Sequence, residues 1–505
     1  MTTSRLRAST AWLVAVVLAV LLLTVPDHSG ASSALANAAD RAVPRPNIVL
    51  ITTDDQTLTD LQWMPLTRSL LGARGTTFTN MISPHPLCCP ARAEILTGQY
   101  AQNNGVRANK RKLLGGYELL RDPHDTIGHW LQDAGYQTAF VGKFLNDYKA
   151  TESARPAGWD VWNPFVANPY RYFGYTLWED GHPQTYPDVH SADMVARRTN
   201  EYIRDFARDD APFFIWASQV APHGECRPEN EANCSALAKP AARHARLFRR
   251  AWAPETRLGS FNEADVSDKP RYIRARPAAS IKRVNRNFRS RIRSLQAVDE
   301  GVASTVAALE ATGELANTLI VFVSDNGYLF GQHRYVGKIV PYEASLRVPL
   351  LMRGPGVPQG AIRSQTVSMV DIAPTLVDAG NALATRRMDG ESMLSVARDN
   401  APRATTHLIQ GGPRSVREVR VGWFYRGVRT ERYTYIRYAL TGFVELYDRA
   451  ADPGQLRNVA RLPAYAGVLA EMQRRAAVLQ PCSGLACRID FGADPAPARH
   501  RSVSR

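Results

Sequence analysis

The sequence predicts an α/β fold with a large mixed, mostly parallel sheet flanked by helices, followed by a smaller C-terminal α+β subdomain with an antiparallel sheet. Two observations predict it. Short apolar, β-branched runs alternate with helical patterns up to about residue 385, which is typical of parallel sheets. Beyond Arg386 the pattern changes to short strands close together. A chain of 505 residues is long enough for one large domain and a smaller one.

The first 38 residues have the layout of a secretory signal peptide. Arg5 and Arg7 precede an apolar run, 11–25, and small residues follow at 34–38. Because a membrane helix needs about 20 apolar residues, we expect cleavage and secretion to the extracellular space or cell envelope, with no stable membrane span. A retained anchor is the alternative.

The formal net charge of +15 favours a polyanionic partner. No motif of nucleic-acid recognition accompanies it, so we expect no nucleic-acid partner. A sulfated glycan is a polyanion that would suit this charge. The alternative is that the arginines lie on a solvated surface and bind no partner.

The large domain is predicted at 45–385, and its strands end in chemically capable side chains. The strands are predicted at 47–53, 136–141, 212–220 and 318–323, and the helices at 64–73, 126–134, 193–207 and 288–309. The residues that follow the strands are Asp54, Asp55, Lys143, His223, Asp325 and Asn326. Ligands of open α/β sheets bind beyond the carboxyl ends of the strands, so we expect these side chains in one pocket.

Two acidic pairs among these residues indicate a cation site. Asp54 and Asp55, with Asp325 and Asn326, offer only oxygen ligands, which suit a hard cation such as Ca²⁺ or Mg²⁺. Each pair alone also fits a turn after a strand. Because both pairs follow strands in one α/β chain, a cation site is favoured over two unrelated turns.

The remaining segments are less regular. The segment 224–287 is rich in Arg and Pro without clear periodicity, and we expect it to border the pocket because it follows His223. A C-terminal subdomain is predicted at 386–490, with strands at 422–425, 427–430, 433–438 and 443–447 and a helix at 465–479. The tail, 491–505, is predicted to be flexible.

Six cysteines divide into two local pairs and an adjacent pair. Cys226 with Cys234, and Cys482 with Cys487, suit disulfides of an exported protein. Cys88 and Cys89 remain, and neighbouring cysteines rarely meet the geometry of a disulfide.

Residues 87–98, Leu-Cys-Cys-Pro-Ala-Arg-Ala-Glu-Ile-Leu-Thr-Gly, match the pattern Cys-x-Pro-Ser/Ala-Arg-x-x-x-Leu-Thr-Gly at seven specified positions. This pattern resembles the signature of the sulfatase family. Further segments of resemblance are 53–56, 142–146, 221–223, 324–328, 342–356, 429–433 and 445–448. The stretch from Pro46 to about Asn381 thus resembles the catalytic domain of this alkaline-phosphatase-like family, above all its N-acetylglucosamine-6-sulfatases and extracellular endosulfatases.

The resemblance implies how the site works. Cys88 is expected to be oxidised to formylglycine by a formylglycine-generating enzyme, and the hydrated aldehyde attacks sulfur. The implied ligands of a divalent cation, Ca²⁺ with Mg²⁺ or Mn²⁺ possible, are Asp54, Asp55, Cys88, Asp325 and Asn326.

The resemblance also implies the cationic residues around the nucleophile. Arg92 lies one helical turn after Cys88. Lys143 and Lys338 match sulfate-binding lysines, and His223 matches a histidine that contacts substrate and serves as an acid. Arylsulfatase-type members often have a His where this chain has Leu145, so the base of sulfate release is unassigned; the substitutes considered are His85 and His333.

The function expected from the resemblance is a sulfuric ester hydrolase. Its substrates would be sulfated sugars, such as N-acetylglucosamine-6-sulfate in glycosaminoglycans, or small aryl sulfates. One alternative is a phosphonate or phosphodiester hydrolase of the same superfamily. The other is an exported, non-catalytic protein that binds sulfated glycans.

Overall fold

A computed structural model describes residues 45–167, 169–179, 181–226 and 237–498. The predicted signal peptide lies outside these ranges. So does Cys234, and with it the predicted pairing to Cys226. None of the helices within the ranges combines the length and apolar composition that crossing a bilayer requires.

Eleven strands of the described chain form one large mixed sheet. They are β1 (Asn47–Thr53), β2 (Thr76–Ile82), β3 (Gln137–Gly142), β4 (Val161–Ala167), β5 (Tyr175–Glu179), β6 (His182–Tyr186), β7 (Phe213–Ser218), β8 (Thr318–Ser324), β11 (Arg347–Arg353), β12 (Ala361–Arg363) and β13 (Val367–Ser368). Their order is β12-β2-β11-β8-β1-β7-β3-β4-β5-β6, with β13 also on β2. A separate pair, β9 (Leu329–Phe330) and β10 (Val336–Gly337), forms a small hairpin.

The register of the central strands positions the site. β1 runs parallel to both neighbours, with Thr53 opposite Ser324 of β8 and Thr52 opposite Ser218 of β7. Gly142 at the end of β3 also lies opposite Ser218. The residues that follow these strands therefore leave the sheet at one edge, as the sequence predicted.

Seven helices of six or more residues lie within the described ranges. They are α1 (Cys88–Thr97), α2 (Ile127–Asp133), α3 (Ser191–Phe206), α4 (Ile281–Ala311), α5 (Ile372–Ala379), α6 (Leu394–Asp399) and α7 (Ala466–Leu479). Shorter helical turns lie at Pro65–Thr67, Ala101–Asn104, Arg271–Arg274, Glu343–Leu346 and Val416–Val419.

Helices cover both faces of the large sheet. In β1, Ile48 and Leu50 pack on one face with residues of α1, α2 and α5, whereas Val49 and Ile51 pack on the other with residues of α3 and α4. Since successive side chains of a strand point to opposite faces, the apolar centre of β1, Ile48 to Ile51, is buried between two helical layers.

A second sheet follows in the C-terminal part. It is antiparallel, in the order β14 (His407–Gly411), β15 (Tyr425–Arg429), β16 (Tyr433–Tyr438) and β17 (Val444–Asp448), and α7 packs on it. The predicted disulfide between Cys482 and Cys487 is confirmed, with the two Cα atoms 5.1 Å apart.

The structure corrects several predicted boundaries. The strands predicted at 422–425 and 427–430 are one strand, Tyr425–Arg429, because Gly427 continues the ladder opposite Ile436. Helix α4 begins at Ile281 rather than 288, since Ser280 caps it by accepting a hydrogen bond from the Arg283 amide. The charged residues of its first turns hid this start.

Part of the C-terminal tail, which the sequence predicts to be flexible, contacts the rest of the described chain. Asp494 accepts hydrogen bonds from Arg475 at 3.1 Å and from Thr430, and the Ala498 amide donates to Ala464 O at 2.8 Å. These contacts hold residues up to 498. The rest of the tail, 499–505, lies outside the described chain.

A buried histidine of β14 makes stability depend on pH. Burial, and secondly the charges of Arg403 and Arg429, lower the pKa of His407 to about 3. In the unfolded chain the pKa is about 6.5, so below that pH the unfolded state binds the extra proton and is favoured. This contribution to stability is complete above about pH 6.5 and falls by about 1.4 kcal/mol per pH unit as the pH drops toward 3.

Urea unfolding of the wild type and His407→Gln at about pH 7.5 and about pH 5 checks this. We expect the wild type to lose about 2 kcal/mol more than the variant between the two values. Equal losses would show that His407 does not titrate in this way.

Candidate functional site

Cys88 is the first residue of α1, at the edge of the sheet where β1 and β8 end. Leu87 before it is extended, with a φ of −151°, and Gly98 closes the helix with a φ of +63°. All ten residues of this helix are buried. The turn fixes Cys88 within the protein and places Arg92 on the same face of the helix.

The Cys88 sulfur lies between an acidic side chain and a basic side chain. Its Sγ is 3.2 Å from Asp54 Oδ1 and 2.7 Å from Lys338 Nζ. Without a cation at the site, burial, and then the Asp54 charge, raise the pKa of the thiol to about 12. Catalytic thiolates have lowered pKa values, whereas the raised pKa of Cys88 favours its protonated thiol.

The two acidic pairs meet as the sequence predicted. The Asp55 amide donates to Asp325 Oδ1 at 3.1 Å, and Asn326 Nδ2 donates to Asp55 Oδ1 at 2.7 Å. Asp55 has a φ of +70°, a left-handed conformation that Asp tolerates in tight turns. The ends of β1 and β8 are thereby tied together.

Arg92 binds the carboxylates of both acidic pairs. Its Nε donates to Asp325 Oδ2 at 2.9 Å, and its NH2 lies 3.5 Å from Asp54 Oδ2. Its NH1 donates to Ser218 Oγ at 2.6 Å and to Lys143 O at 2.7 Å. With only 1% of its side chain exposed, one guanidinium connects α1 to the ends of β1, β3, β7 and β8.

Lys143 and Lys338 contact the same carboxylates. Lys143 Nζ pairs with Asp54 Oδ2 and lies 4.3 Å from the centre of the Tyr170 ring. Lys338 Nζ pairs with Asp55 Oδ1. Although burial alone favours the neutral amines, Asp54 raises the pKa of Lys143 and Asp55 raises that of Lys338, so both stay charged.

His223 follows β7 and faces Asp55. Its Nε2 is 3.7 Å from Asp55 Oδ2, and its Nδ1 is 2.6 Å from Gly224 O. A carbonyl only accepts, so Nδ1 donates and Nε2 presents its lone pair in the neutral ring. Burial lowers the pKa of His223 to about 4 and keeps the ring neutral, although the Asp55 charge opposes this.

The pKa values of the three buried carboxylates do not all shift in the same direction. Burial raises the pKa of each, but Lys143 and the other cations hold the pKa of Asp54 below its usual value, and Lys338 does the same for Asp55. Asp325 is the exception, since burial and the Asp54 charge raise its pKa to about 6.

The donor set fits a cation. One ligand atom each of Asp54, Asp55, Cys88 and His223 lies within 4.8 Å of all the others. Asn326 Oδ1 is buried and has no hydrogen-bond partner in the described chain. A buried acceptor without a hydrogen-bond donor indicates that a ligand occupies this place. Carbonyl and carboxylate oxygens are the ligands that hard cations prefer.

The structure brings the predicted residues together but also places others there that sequence reasoning missed. The Tyr170 ring lies 4.6 Å from the His223 ring, and Ser218 bonds Arg92. Arg291 of α4 donates to Asp55 O and lies 3.3 Å from Asp60 Oδ2. Ser218 lies within the strand predicted at 212–220 and ends the observed strand β7. Tyr170 and Arg291 belong to no motif.

The two histidines considered as the base of sulfate release are bonded elsewhere. His85 Nε2 accepts from the Gly412 amide at 3.0 Å, and burial lowers the pKa of His85 to about 3. His333 Nδ1 is 2.6 Å from Glu263 Oε2, and the ring stacks on Tyr342. Their role in sulfate release stays a prediction.

A cavity of about 700 Å³ opens beside the cluster. Asp55, His223 and Lys338 line it, together with the start of α4 and the residues before it. The predicted segment 224–287 therefore does border the pocket, through Gly224, Leu237, residues 276–280 and residues 283, 284, 286 and 287. A space of this size takes a ligand of drug size or a short oligosaccharide.

Family comparisons cover most of the described chain. The sequence model of the family described as sulfatase matches residues 46–382. The model described as N-sulphoglucosamine sulphohydrolase, C-terminal, matches residues 331–481.

Similar proteins include the N-acetylglucosamine-6-sulfatase of Homo sapiens, which is 31% identical over 499 residues, with 89% of this chain and 87% of that protein covered. The arylsulfatase of Volvox carteri is 33% identical, with 90% and 77% covered. The putative extracellular sulfatase Sulf-1 homolog of Caenorhabditis elegans is 35% identical over 364 residues, which are 69% of this chain. This chain spans about half the length of that relative, 49%.

Similar solved structures share the fold. A protein in complex with its substrate D-glucosamine-2-N,6-O-disulfate superposes with a TM-score of 0.68 at 23% identity, covering 86% of this chain and 97% of that one. The phosphonate monoester hydrolase of Agrobacterium radiobacter superposes with a TM-score of 0.64 at 23% identity, covering 86% and 95%. The predicted fold class, a large mixed sheet with a separate antiparallel sheet, is confirmed.

Proposed function

Because the chain belongs to the sulfatase family, we propose that it cleaves sulfate esters of sugars with a formylglycine derived from Cys88 as the nucleophile. The chain is a sulfuric ester hydrolase, as the family and the curated relatives show. The observation that supports the proposed nucleophile is the position of Cys88 Sγ, 3.2 Å from Asp54 Oδ1 and 2.7 Å from Lys338 Nζ.

The modification gives this position its chemistry. Oxidation of Cys88 by a formylglycine-generating enzyme, followed by hydration of the aldehyde, would put a hydroxyl where the structure has Sγ. Asp54 Oδ1 lies within reach to accept the hydroxyl proton as the oxygen attacks sulfur. The second hydroxyl of the hydrate then allows sulfate to leave as the aldehyde forms again, without attack of water on sulfur.

A divalent cation fits beside the nucleophile. We propose that Asp54, Asp55, Asp325, Asn326 and the hydroxyl of modified Cys88 hold it, with Ca²⁺ favoured by the oxygen donors. When bound, such an ion lowers the pKa of a coordinated hydroxyl and offsets the charge of the sulfate.

The cationic side chains would bind the sulfate itself. Lys143 and Lys338 stay charged in a buried site, where fixed charges stabilise the negative charge that develops on the ester oxygens. Lys338 lies close enough to Cys88 to protonate the leaving oxygen, and His223 faces the same space. Arg92 positions Asp54 and Asp325 rather than contacting substrate.

Loss of either lysine is expected to slow hydrolysis while the protein stays folded. We expect kcat/KM of Lys143→Ala and Lys338→Ala to fall by about 10²–10³, because each variant removes one preorganised donor. Steady-state assays with 4-nitrophenyl sulfate measure this. Lys149→Ala is the control, since Lys149 is exposed and pairs with nearby Glu152. Full activity in Lys143→Ala and Lys338→Ala would exclude these lysines as sulfate ligands.

The substrate class is proposed from the relatives. The relative from Homo sapiens is named an N-acetylglucosamine-6-sulfatase and matches over nearly its whole length, which favours N-acetylglucosamine-6-sulfate within glycosaminoglycans. The relative from Volvox carteri is named an arylsulfatase, so aryl sulfates are proposed as substrates too.

Parallel assays test the reaction. Purified protein, produced together with a formylglycine-generating enzyme, is offered N-acetylglucosamine-6-sulfate, 4-nitrophenyl sulfate, 4-nitrophenyl phosphate and phenyl phosphonate esters. We expect release of sulfate and slower turnover of the phosphorus esters. Faster turnover of phosphate or phosphonate would overturn the proposal and favour the phosphoryl-transfer alternative.

We also propose that the protein is exported after cleavage of residues 1–38. The name of the Caenorhabditis elegans relative, an extracellular sulfatase homolog, supports export. N-terminal sequencing of the mature protein tests it, and a chain beginning at Met1 would contradict it.

A further inference from the structure

The cavity beside Cys88 is strongly cationic. Six of the described residues that line it are basic: Arg276, Arg283, Arg286, Arg291, Arg334 and Lys338. Asp55 is the only carboxylate among them, and Lys338 and Asn326 already contact it. The cavity therefore has more positive charge than the site of one sulfate ester needs.

Three of these basic residues already have partners. Lys338 binds Asp55 and contacts Cys88 Sγ. Arg291 is buried, and it bonds Asp55 O and Asp60. Arg334 donates to the backbone oxygens of residues 263 and 264.

The other three have no acidic partner within the described ranges. Arg283 and Arg286 are exposed on the first turns of α4, three residues apart and so on the same face of the helix. Arg276 lies with its guanidinium 4.1 Å from the centre of the Tyr335 ring, and its Nε is buried with no hydrogen-bond partner. A guanidinium positioned by contact with a ring loses less freedom when it binds an anion.

The positive charge of these three arginines favours the binding of a second anionic group in the cavity. Lys143 and Lys338 are the residues proposed above to bind the sulfate that is cleaved, and both contact the carboxylates beside Cys88. Like charges that line one cavity repel each other, and an anionic group between them removes that repulsion. Arginine recognises sulfate-like and carboxylate groups through two parallel hydrogen bonds.

We propose that Arg276, Arg283 and Arg286 form a subsite for a second anionic group, sulfate or carboxylate, of the sugar chain that carries the scissile sulfate. This inference rests on the proposed function and narrows its substrate to saccharides with several anionic groups. The cavity of about 700 Å³ has room for more than one sugar unit.

A ratio of activities tests the subsite. The two substrates are a fully sulfated uronate–glucosamine disaccharide and the monosulfated sugar N-acetylglucosamine-6-sulfate. In the double variant Arg283→Gln/Arg286→Gln, and in Arg276→Gln, we expect the ratio of kcat/KM, disaccharide over monosulfated sugar, to fall about 10-fold or more, mainly through KM. Lys282→Gln, which removes a charge from the same helix turn at a residue outside the cavity lining, is expected to keep the wild-type ratio.

An equal change of the ratio in Lys282→Gln, or no change in any variant, would overturn the subsite and leave these arginines as a solvated surface. Calorimetry separates this failure from failure of the proposed function. The disaccharide is titrated into Cys88→Ala protein with and without the arginine substitutions, which requires no hydrolysis. Weaker binding in the substituted protein supports the subsite, and equal binding overturns it even if the wild type proves to be an active sulfatase.

Discussion

Cys88→Ala is expected to lose sulfate-ester hydrolysis by a factor of about 10⁴ or more, the largest effect of any single substitution in this chain. The reason is that the modified side chain of Cys88 is the group that attacks sulfur, and Asp54 and Lys338 have nothing to act on without it. Initial rates with 4-nitrophenyl sulfate and N-acetylglucosamine-6-sulfate measure the loss.

The neighbouring thiol provides a matched control. Cys89 is as buried as Cys88, and its backbone amide donates to Asn109 Oδ1 at 3.1 Å. Cys89→Ala makes the same chemical change, loss of a buried thiol, one residue away from the proposed nucleophile. We therefore expect activity within a few-fold of the wild type. Loss of activity in Cys89→Ala with retention in Cys88→Ala would contradict the assignment of the nucleophile.

Arg92→Ala is expected to lose both activity and stability. Arg92 is fully buried and bonds Asp54, Asp325 and the ends of two further strands, so its removal leaves buried carboxylates without their cation. Breaking a buried ion pair by deleting one partner costs about 3–5 kcal/mol of the free energy of unfolding. Urea unfolding followed by circular dichroism measures the loss.

An exposed ion pair gives the contrast. Arg111 and Glu118 lie 2.7 Å apart, but their side chains are 76% and 46% exposed. Arg111→Ala is expected to cost about 0–1 kcal/mol, since solvent screens such pairs. Equal costs for the two substitutions would mean that Arg92 does not stabilise the carboxylate cluster as described.

The core of the site was predictable because the sequence places it at strand ends. Asp54 and Asp325 follow apolar runs that pair as neighbours, so their meeting follows from the register of β1 and β8. Arg92 was predictable from the family resemblance, as a specified residue of the signature pattern that lies one helical turn after Cys88. Lys338 was open to prediction only through family resemblance, since it follows a two-stranded hairpin with no periodic pattern.

The parts that were not predictable depend on contacts between distant segments. Tyr170 reaches Lys143 and His223 from a turn between β4 and β5, and no spacing in the chain reports this. β6 is almost entirely exposed, so it has no apolar alternation to reveal it. The segment 224–287 was predicted to border the pocket, but the basic residues that line it were not identified, because the start of α4 at Ile281 was not predicted.

The central claim is that Cys88, and not Cys89, is converted to formylglycine. Mass spectrometry of the tryptic peptide 75–92, from active protein produced with a formylglycine-generating enzyme, tests it directly. We expect an aldehyde at residue 88, trapped as a hydrazone by a hydrazine reagent, beside an unmodified thiol at residue 89. Active protein whose peptide has only the thiol at residue 88 would show that formylglycine is not the nucleophile.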